Sequence, residues 1–503
     1  MNERHHRTAL LFLLCLLCGG ISLAAWPAAQ AHFPALETGQ PGLDRAFRIA
    51  VGDLMGNIVH REGGLLEEAA PVILAGLDYR RPWTRDASIN AWNGASLLVP
   101  EIARDTLLSV LERADGGVRI GGQYWDRVVW AQGAWHHFLY TGDRDFLETA
   151  LDAVTHTLAY HEATEYDPET GLFRGPGWSD GVAAYPETYT AGMSSAILDW
   201  PKAHPDQVAE KGYGIPMQAL STNCLYYGAY TAALRMAEAL GHAPDPDWAR
   251  KAERLKRAIN EHLWMPDKGR YRFFIGPFGG CDYEEALGHA YAILFGVADA
   301  TQAAALFENT HVTPAGVPCI WPTFKRYENA EGTAYGRHSG TVWPQIQGFW
   351  ADAAARHGRE DLFAHELFRL AGHANRDQHF AEIYHPDTRE VYGGMQEAGE
   401  ERGIILWNAT KRQTWAATAY LRMMLFGVAG LRFDTDGLRF APCLPEGVDK
   451  VGLRNLRYRD MVLNLLVERT DKEPACTVNG AARDTAFIPA EETGTKTIRL
   501  AVK

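Results

Sequence analysis

Two acidic residues sit among aromatic and turn-forming neighbours, some two hundred positions apart. Asp180 closes the run Gly171 to Asp180 (Gly-Leu-Phe-Arg-Gly-Pro-Gly-Trp-Ser-Asp), and Glu382 lies in Ala381 to Asp387 (Ala-Glu-Ile-Tyr-His-Pro-Asp). Such a pair suits cleavage of a glycosidic bond. That reaction needs one carboxyl group kept protonated to release the leaving oxygen and a second kept ionised to activate water. Gly175-Pro176-Gly177 forces a turn that would aim Asp180 into a cavity as the general acid; the competing reading is a helix N-cap at Ser179-Asp180. Glu382 precedes a turn-rich loop and is the candidate general base, against the alternative of a surface glutamate at a helix end. Glu187 and the cluster Asp282, Glu284 and Glu285 are reserve candidates. Glu397, Glu400 and Glu401 form a charge run, which reads as a solvated face.

Aromatic residues beside charged ones extend the candidate site. Trp83 is followed by Arg85 and Asp86, so a sugar ring could stack on the indole while the charged groups bond its hydroxyls. An Arg–Asp pair that merely fixes a helix start is the alternative. His338 and Trp343 flank Gly340, which lets backbone pass close to a ligand. Trp178, Tyr384 and Trp407 complete the set of candidate carbohydrate contacts, although Trp407, like Trp415 and Gln413, reads first as buried packing. No zinc spacing is visible among the cysteines, and the proposed chemistry needs neither metal nor cofactor.

These residues need a scaffold, and the chain up to about Gly430 reads as helix. Trp248, Ala252, Leu255, Ile259 and Leu263 fall at helical spacing with charged residues between them, which describes an amphipathic outer helix started by Asp245-Pro246. Thr414 to Phe426 and most of Leu225 to Leu240 are apolar nearly all round, as inner helices must be. Apolar helices repeatedly end at a Pro or Gly followed by a charged helix start: Pro100-Glu101, Gly142-Asp143, Gly241-His242, Gly296 before Asp299, Gly358 before Glu360, and a last Gly427. If these short turns lie at one end of a ring of helical hairpins, the long connections lie at the other, and they hold every aromatic-rich motif named above. The expected architecture is mainly α, an (α/α)6 toroid over residues 32–428. A small antiparallel β module over 429–503 follows, marked by short alternating runs with Asp-Gly and Asn-Gly turns.

The N-terminus reads as an export signal over residues 1–31: Arg4 and Arg7, an apolar run from Ala9 to Leu17, and Ala29-Gln30-Ala31 as a cleavage site. Leu17 directly before Cys18 is the wrong size for lipobox cleavage, which argues against a lipid anchor. Of 62 acidic and 49 basic residues, removal of Glu3, Arg4 and Arg7 leaves 61 and 47, about −14. This balance argues against nucleic acid or an anionic membrane as partner and favours a neutral small molecule in a periplasmic or extracellular setting. Five scattered cysteines, Cys224, Cys281, Cys319, Cys443 and Cys476, would remain, an odd number with no disulfide framework.

Taken in order, the segments Pro82 to Asp86, Gly177 to Asp180, His338 to Pro344, Glu382 to Thr388 and Gln413 to Ala417 resemble the six-hairpin glycosidases. That (α/α)6-barrel group includes the family 63 processing α-glucosidase, trehalases and glycogen-debranching glucosidases. The resemblance spans about residues 43–503. It implies that Asp180 acts as acid and Glu382 as base in an inverting hydrolysis, with an α-glucosidase-like preference for an oligosaccharide or small glycoside. The two carboxyl groups would then stand roughly 6.5 to 9.5 Å apart, leaving room for one water. Gly-Trp-Ser-Asp departs here from the Gly-Trp-Asp-Asp-like run usual in family 63. A glycoside phosphorylase, a polysaccharide lyase on an (α/α) barrel and a non-catalytic glycan-binding protein are the rival readings.

Overall fold

The computed structural model describes residues 33–114, 116–177, 185–186, 189, 214–398 and 402–503. Within them, helices α1 (Pro41–Gly56), α2 (Thr84–Asn90), α3 (Pro100–Leu108), α4 (Tyr124–Thr141), α5 (Arg144–Glu165) and α6 (Leu220–Leu240) are followed by α7 (Pro246–Leu263), α8 (Ala286–Leu294), α9 (Ala300–Asn309), α10 (Pro344–Arg356), α11 (Glu360–Asp377) and α12 (Thr414–Arg422). The even-numbered helices pack one on the next, α2 on α4, then α6, α8, α10 and α12, and α12 returns to α2. This closes an inner ring. The odd-numbered helices lie outside it, each against an inner partner.

The two classes differ as their sequences require. In α7, Trp248, Ala252, Leu255, Ile259 and Leu263 are buried while the intervening charges face out, and the Asp245 carboxylate caps the helix by accepting from the Asp247 amide at 2.8 Å. Every residue of α12 is buried, so its apolar circumference meets protein on all sides. Gly142 and Gly241 end α4 and α6 with φ of 75° and 79°, a left-handed cap that turns the chain directly into the next outer helix.

That capping fixes the polarity of the toroid. Each inner-to-outer connection is short, whereas each outer-to-inner connection is long: 57–83, 109–123, 166–219, 264–285, 310–343 and 378–413. The long loops therefore gather where the inner helices begin, as the turn pattern in the sequence implied. Three carry hairpins with strands of three or four residues: β2 (Ile58–Arg61) with β3 (Ala70–Ile73), β4 (Leu111–Ala114) with β5 (Gly117–Ile120), and β6 (Met395–Glu397) with β7 (Ile404–Leu406). The opposite end is closed by side chains. Arg422 donates to Asp352 at 2.6 Å and to Asn93 at 3.0 Å, and its guanidinium lies 4.4 Å from the Phe349 ring and 4.7 Å from that of Trp92. Burial alone would raise the Asp352 carboxyl, but Arg356, Arg422 and Arg432 outweigh it and hold it well below the usual carboxylate range.

The C-terminal strands are β8 (Leu431–Asp434), β9 (Gly437–Phe440), β10 (Lys450–Tyr458), β11 (Met461–Arg469), β12 (Ala475–Val478), β13 (Ala481–Arg483), β14 (Phe487–Pro489) and β15 (Gly494–Val502). A six-stranded sheet runs β1–β10–β11–β15–β12–β13, where β1 is Ala35–Glu37 from the start of the described chain, and a three-stranded sheet runs β8–β9–β14. All pairs are antiparallel except β11 with β15, which run parallel from Met461/Gly494 to Arg469/Val502. The strand donated by β1 ties the N-terminal segment to the module.

Candidate active site

Glu382 lies in the loop between α11 and α12, at the long-loop mouth, with 1% of its surface exposed. Three donors reach its carboxylate. Oε2 accepts from the Arg337 Nη2 at 2.7 Å and from the Thr410 amide at 3.0 Å, while Oε1 accepts from the Tyr79 hydroxyl at 3.1 Å. The backbone is pinned as well, since the Glu382 amide donates to the Thr410 carbonyl at 2.9 Å. Burial and the neighbouring Glu382 and Asp86 charges push the Tyr79 hydroxyl above its ordinary range, so it stays a donor. A buried carboxylate needs such partners. Glu382 has them.

Next to it stands the first turn of α2. Asp86 is 3% exposed, and its Oδ1 has no hydrogen-bond partner among the described residues. Burial pushes the Asp86 carboxyl up to about 7, against the pull of Arg85 and with repulsion from Asp126 and Glu382 adding to it. Arg85 is engaged elsewhere: it donates to Asp126 at 3.0 Å and to Gln123 at 2.9 Å, both at the start of α4, and lies 3.9 Å from Asp86. Although burial opposes its charge, Asp126 and Asp86 hold that guanidinium firmly protonated. The sequence marked Arg85 and Asp86 together as partners for sugar hydroxyls, with a mutual Arg–Asp pair as the alternative. The structure gives Arg85 to Asp126 and leaves an Asp86 oxygen open to form a hydrogen bond.

Trp83 caps α2 and has the guanidinium groups of Arg81 and Arg85 at 5.0 and 4.9 Å from its ring. It borders a cleft of about 410 Å³ whose lining includes Arg61, Arg81, Thr84 and Gln123. Trp343 caps α10, is 3% exposed, donates its indole N–H to the Arg337 carbonyl at 2.8 Å, and stacks on His338 at 4.3 Å. Tyr384 is fully buried: it stacks on His373 at 4.2 Å and its oxygen accepts from the Ala381 amide at 3.1 Å. It supports the Glu382 segment from below instead of offering a face to substrate.

Two expectations reverse. Trp407, read first as packing, is 38% exposed at the end of β7, whereas Trp415 and Gln413 are buried as expected. Glu397, read as part of a solvated charge run, is buried and paired with Arg326, because β6 turns it inward. The three described reserve acids are engaged: Asp282 pairs with Lys268 at 2.7 Å, Glu284 accepts from the His311 amide at 2.7 Å, and Glu285 accepts from the Ser221 amide at 2.9 Å. Asp180, Trp178, Glu187, Glu400 and Glu401 lie outside the described residues. Sequence reading missed Tyr79, Gln123, Asp126 and Arg337. Tyr79 and Arg337 stand beside motifs it named, whereas Gln123 and Asp126 belong to none; all four lie at the starts of inner helices or in the loops before them, and position along the toroid was the available signal. Among the described residues, no group of three or more His, Cys, Asp or Glu side chains could hold a metal ion.

An (α/α)6 toroid whose mouth gathers a buried carboxylate, a protonatable aspartate and tryptophans is the architecture of a six-hairpin glycosidase. The chain belongs to the mannosylglycerate hydrolase MGH1-like glycoside hydrolase family, whose model matches residues 79–416, and residues 431–473 match the C-terminal domain of glycosyl hydrolase family 65. Its barrel is a glycoside hydrolase domain by that membership. Among solved structures it is similar to a sialidase (TM-score 0.62, 15% identity, 86% of this chain and 38% of that one). It is also similar to the GH78 family rhamnosidase of Bacillus sp. GL1 (0.54, 15%, 94% and 44%). The GH63 mannosylglycerate hydrolase of Thermus thermophilus, solved with glucose, is matched over nearly its whole length (0.54, 14%, 75% and 99%). The chain therefore spans less than half of the first and second of these proteins and almost all of the third. Comparison with curated proteins finds no match.

Proposed function

We propose that this chain hydrolyses the glycosidic bond of an oligosaccharide or small glycoside with inversion, Glu382 acting as general base and Asp180 as general acid. The observation that carries the reading is the setting of Glu382: a carboxylate buried at the mouth, held by three donors among the described residues, with the open Asp86 carboxyl close enough to feel its charge. In this mechanism a water proton passes to Glu382 as the water oxygen bonds the anomeric carbon. The bond to the leaving oxygen breaks and that oxygen takes the proton of Asp180. Asp86, at about 7, can accept or donate a hydrogen bond to a sugar hydroxyl. We further read residues 1–31 as an export signal and the working location as periplasmic or extracellular, and the sugar preference as α-glucosidase-like.

The test is a screen of α-glucosides, mannosides, rhamnosides and mannosylglycerate, with NMR detection of the first-formed anomer. Inverted product is expected, and both Glu382→Gln and Asp180→Asn should abolish turnover while melting near wild type. Retained anomeric configuration would overturn the mechanism, and a wild-type rate in either variant would overturn that residue's role. Phosphate-dependent release of a sugar phosphate would instead establish the phosphorylase, and tight sugar binding without turnover a glycan-binding protein.

A further inference from the structure

Arg337 precedes α10 in the loop 310–343 and is held at every point along its length. Its amide donates to the Met395 carbonyl at 2.9 Å, and its carbonyl accepts from the Trp343 indole at 2.8 Å and the Thr341 hydroxyl at 2.6 Å. One guanidinium nitrogen, Nη1, donates to the carbonyls of Gly393 at 2.9 Å and Asn408 at 3.2 Å, the two feet of the β6–β7 hairpin. The other, Nη2, donates to Glu382 Oε2. One planar group thus spans the hairpin and the carboxylate.

The two oxygens of Glu382 are not equivalent. Among the described residues Oε2 receives two strong donors, whereas Oε1 receives only the Tyr79 hydroxyl and keeps a lone pair for another hydrogen. We propose that Arg337 is the positioning residue of the reaction: it commits Oε2 to the protein, presents Oε1 to the attacking water, and makes that presentation depend on the seating of the hairpin. This rests on Glu382 being the base. The water proton then goes to Oε1 while the water oxygen bonds the anomeric carbon, and the leaving oxygen departs with the proton of the general acid.

The hairpin is seated tightly enough to transmit position. Gly394 has φ of 77°, and a Cβ there would collide with the Arg337 Cα; a Cβ on Gly393 would collide with the Trp407 carbonyl oxygen. Backbone here packs on backbone. The Trp407 amide donates to the Gly394 carbonyl at 3.0 Å, so the exposed indole rides on the same foot that Arg337 grips. A lysine could neutralise Oε2 but could not serve the two carbonyls and the carboxylate at once, because its donors radiate from a single atom.

The experiment measures kcat and KM of the full chain on an aryl glycoside that the wild type cleaves, for Arg337→Ala, Arg337→Lys and Glu382→Gln. Misplacing a reacting group by about 1 Å costs on the order of 100-fold in rate, so Arg337→Ala should lose about that in kcat with KM within threefold. Added guanidinium chloride should restore part of kcat to Arg337→Ala and none to Glu382→Gln. Should Arg337→Ala fail to fold, Arg337→Lys decides: a kcat loss with unchanged KM supports the proposal, and wild-type kcat overturns it. Parallel loss of kcat and affinity without guanidinium rescue would mark a merely structural role and also overturn it. An active Glu382→Gln would instead bring down the base assignment, a result separable from the others.

Discussion

Replacing Asp86 by asparagine should make the protein more stable above neutral pH and less able to process substrate. The carboxyl is 3% exposed and burial raises it to about 7, so the native state binds its proton more tightly than the unfolded chain does. The sign follows directly. A raised native pKa contributes stability that is complete below the unfolded value and lost as pH rises through the native value, so ionising Asp86 weakens the fold. At roughly 1.4 kcal/mol per pKa unit the full cost is about 4 kcal/mol at most, and about 2 kcal/mol of it falls between pH 5.5 and 8.5. Asparagine carries no charge at either pH. Urea unfolding followed by tryptophan fluorescence at the two pH values should therefore show Asp86→Asn gaining about 2 kcal/mol on wild type from the lower to the higher. In a Glu382→Gln background the gain should shrink, because Glu382 is one of the charges that raises Asp86. A difference between variant and wild type that stays flat with pH, or that moves against the variant as pH rises, would refute the reasoning.

The closed end of the toroid offers a contrasting case. Arg422→Ala should cost about 3–5 kcal/mol in urea unfolding, since it takes one of its cationic partners from buried Asp352 while Arg356 remains, strips the Asn93 oxygen of its Arg422 donor, and empties the space against Phe349 and Trp92. Gly394→Ala should lower kcat at least as far as Arg337→Lys does while reducing the unfolding free energy in urea by about 1–3 kcal/mol, because it lifts the hairpin foot away from Arg337 without touching the core. Circular dichroism on the same samples would separate a displaced loop from a misfolded chain.

The toroid was legible because its signals are local. Gly142 and Gly241 stop helices by a backbone geometry that other residues resist, and the alternation of amphipathic with wholly apolar helices is written in residue spacing. Polarity followed from loop length alone. The partner of Arg85 was not legible, because Asp126 lies 41 residues on and only the packing of α2 against α4 brings it within 3.0 Å. Trp407 and Glu397 misled for a related reason. A short hairpin decides which of its residues face inward by register, and the pairing of Met395 with Leu406 and Glu397 with Ile404 is set by contacts at its feet rather than by composition.

The division of labour between the two ends explains why the site can tolerate its own strained electrostatics. An open ring of helices with a buried, easily protonated Asp86 and an unfilled acceptor at its mouth must be stabilised elsewhere, because that mouth contributes polar groups whose burial is costly. The described chain places the compensation away from substrate. The Arg422–Asp352 clamp ties α10 and α12 to the turn after α2, and β1 threads into the C-terminal sheet against β10, while the Arg459 amide, just after β10, bonds the Tyr140 carbonyl near the end of α4. These contacts close the ring from behind, on the side of the short turns, and leave the starts of the inner helices free to carry loops of widely different length. Substitutions at the mouth should accordingly move activity more than stability, and substitutions at the closed end the reverse, with Asp86 the instructive exception because the mouth holds its charge at a cost.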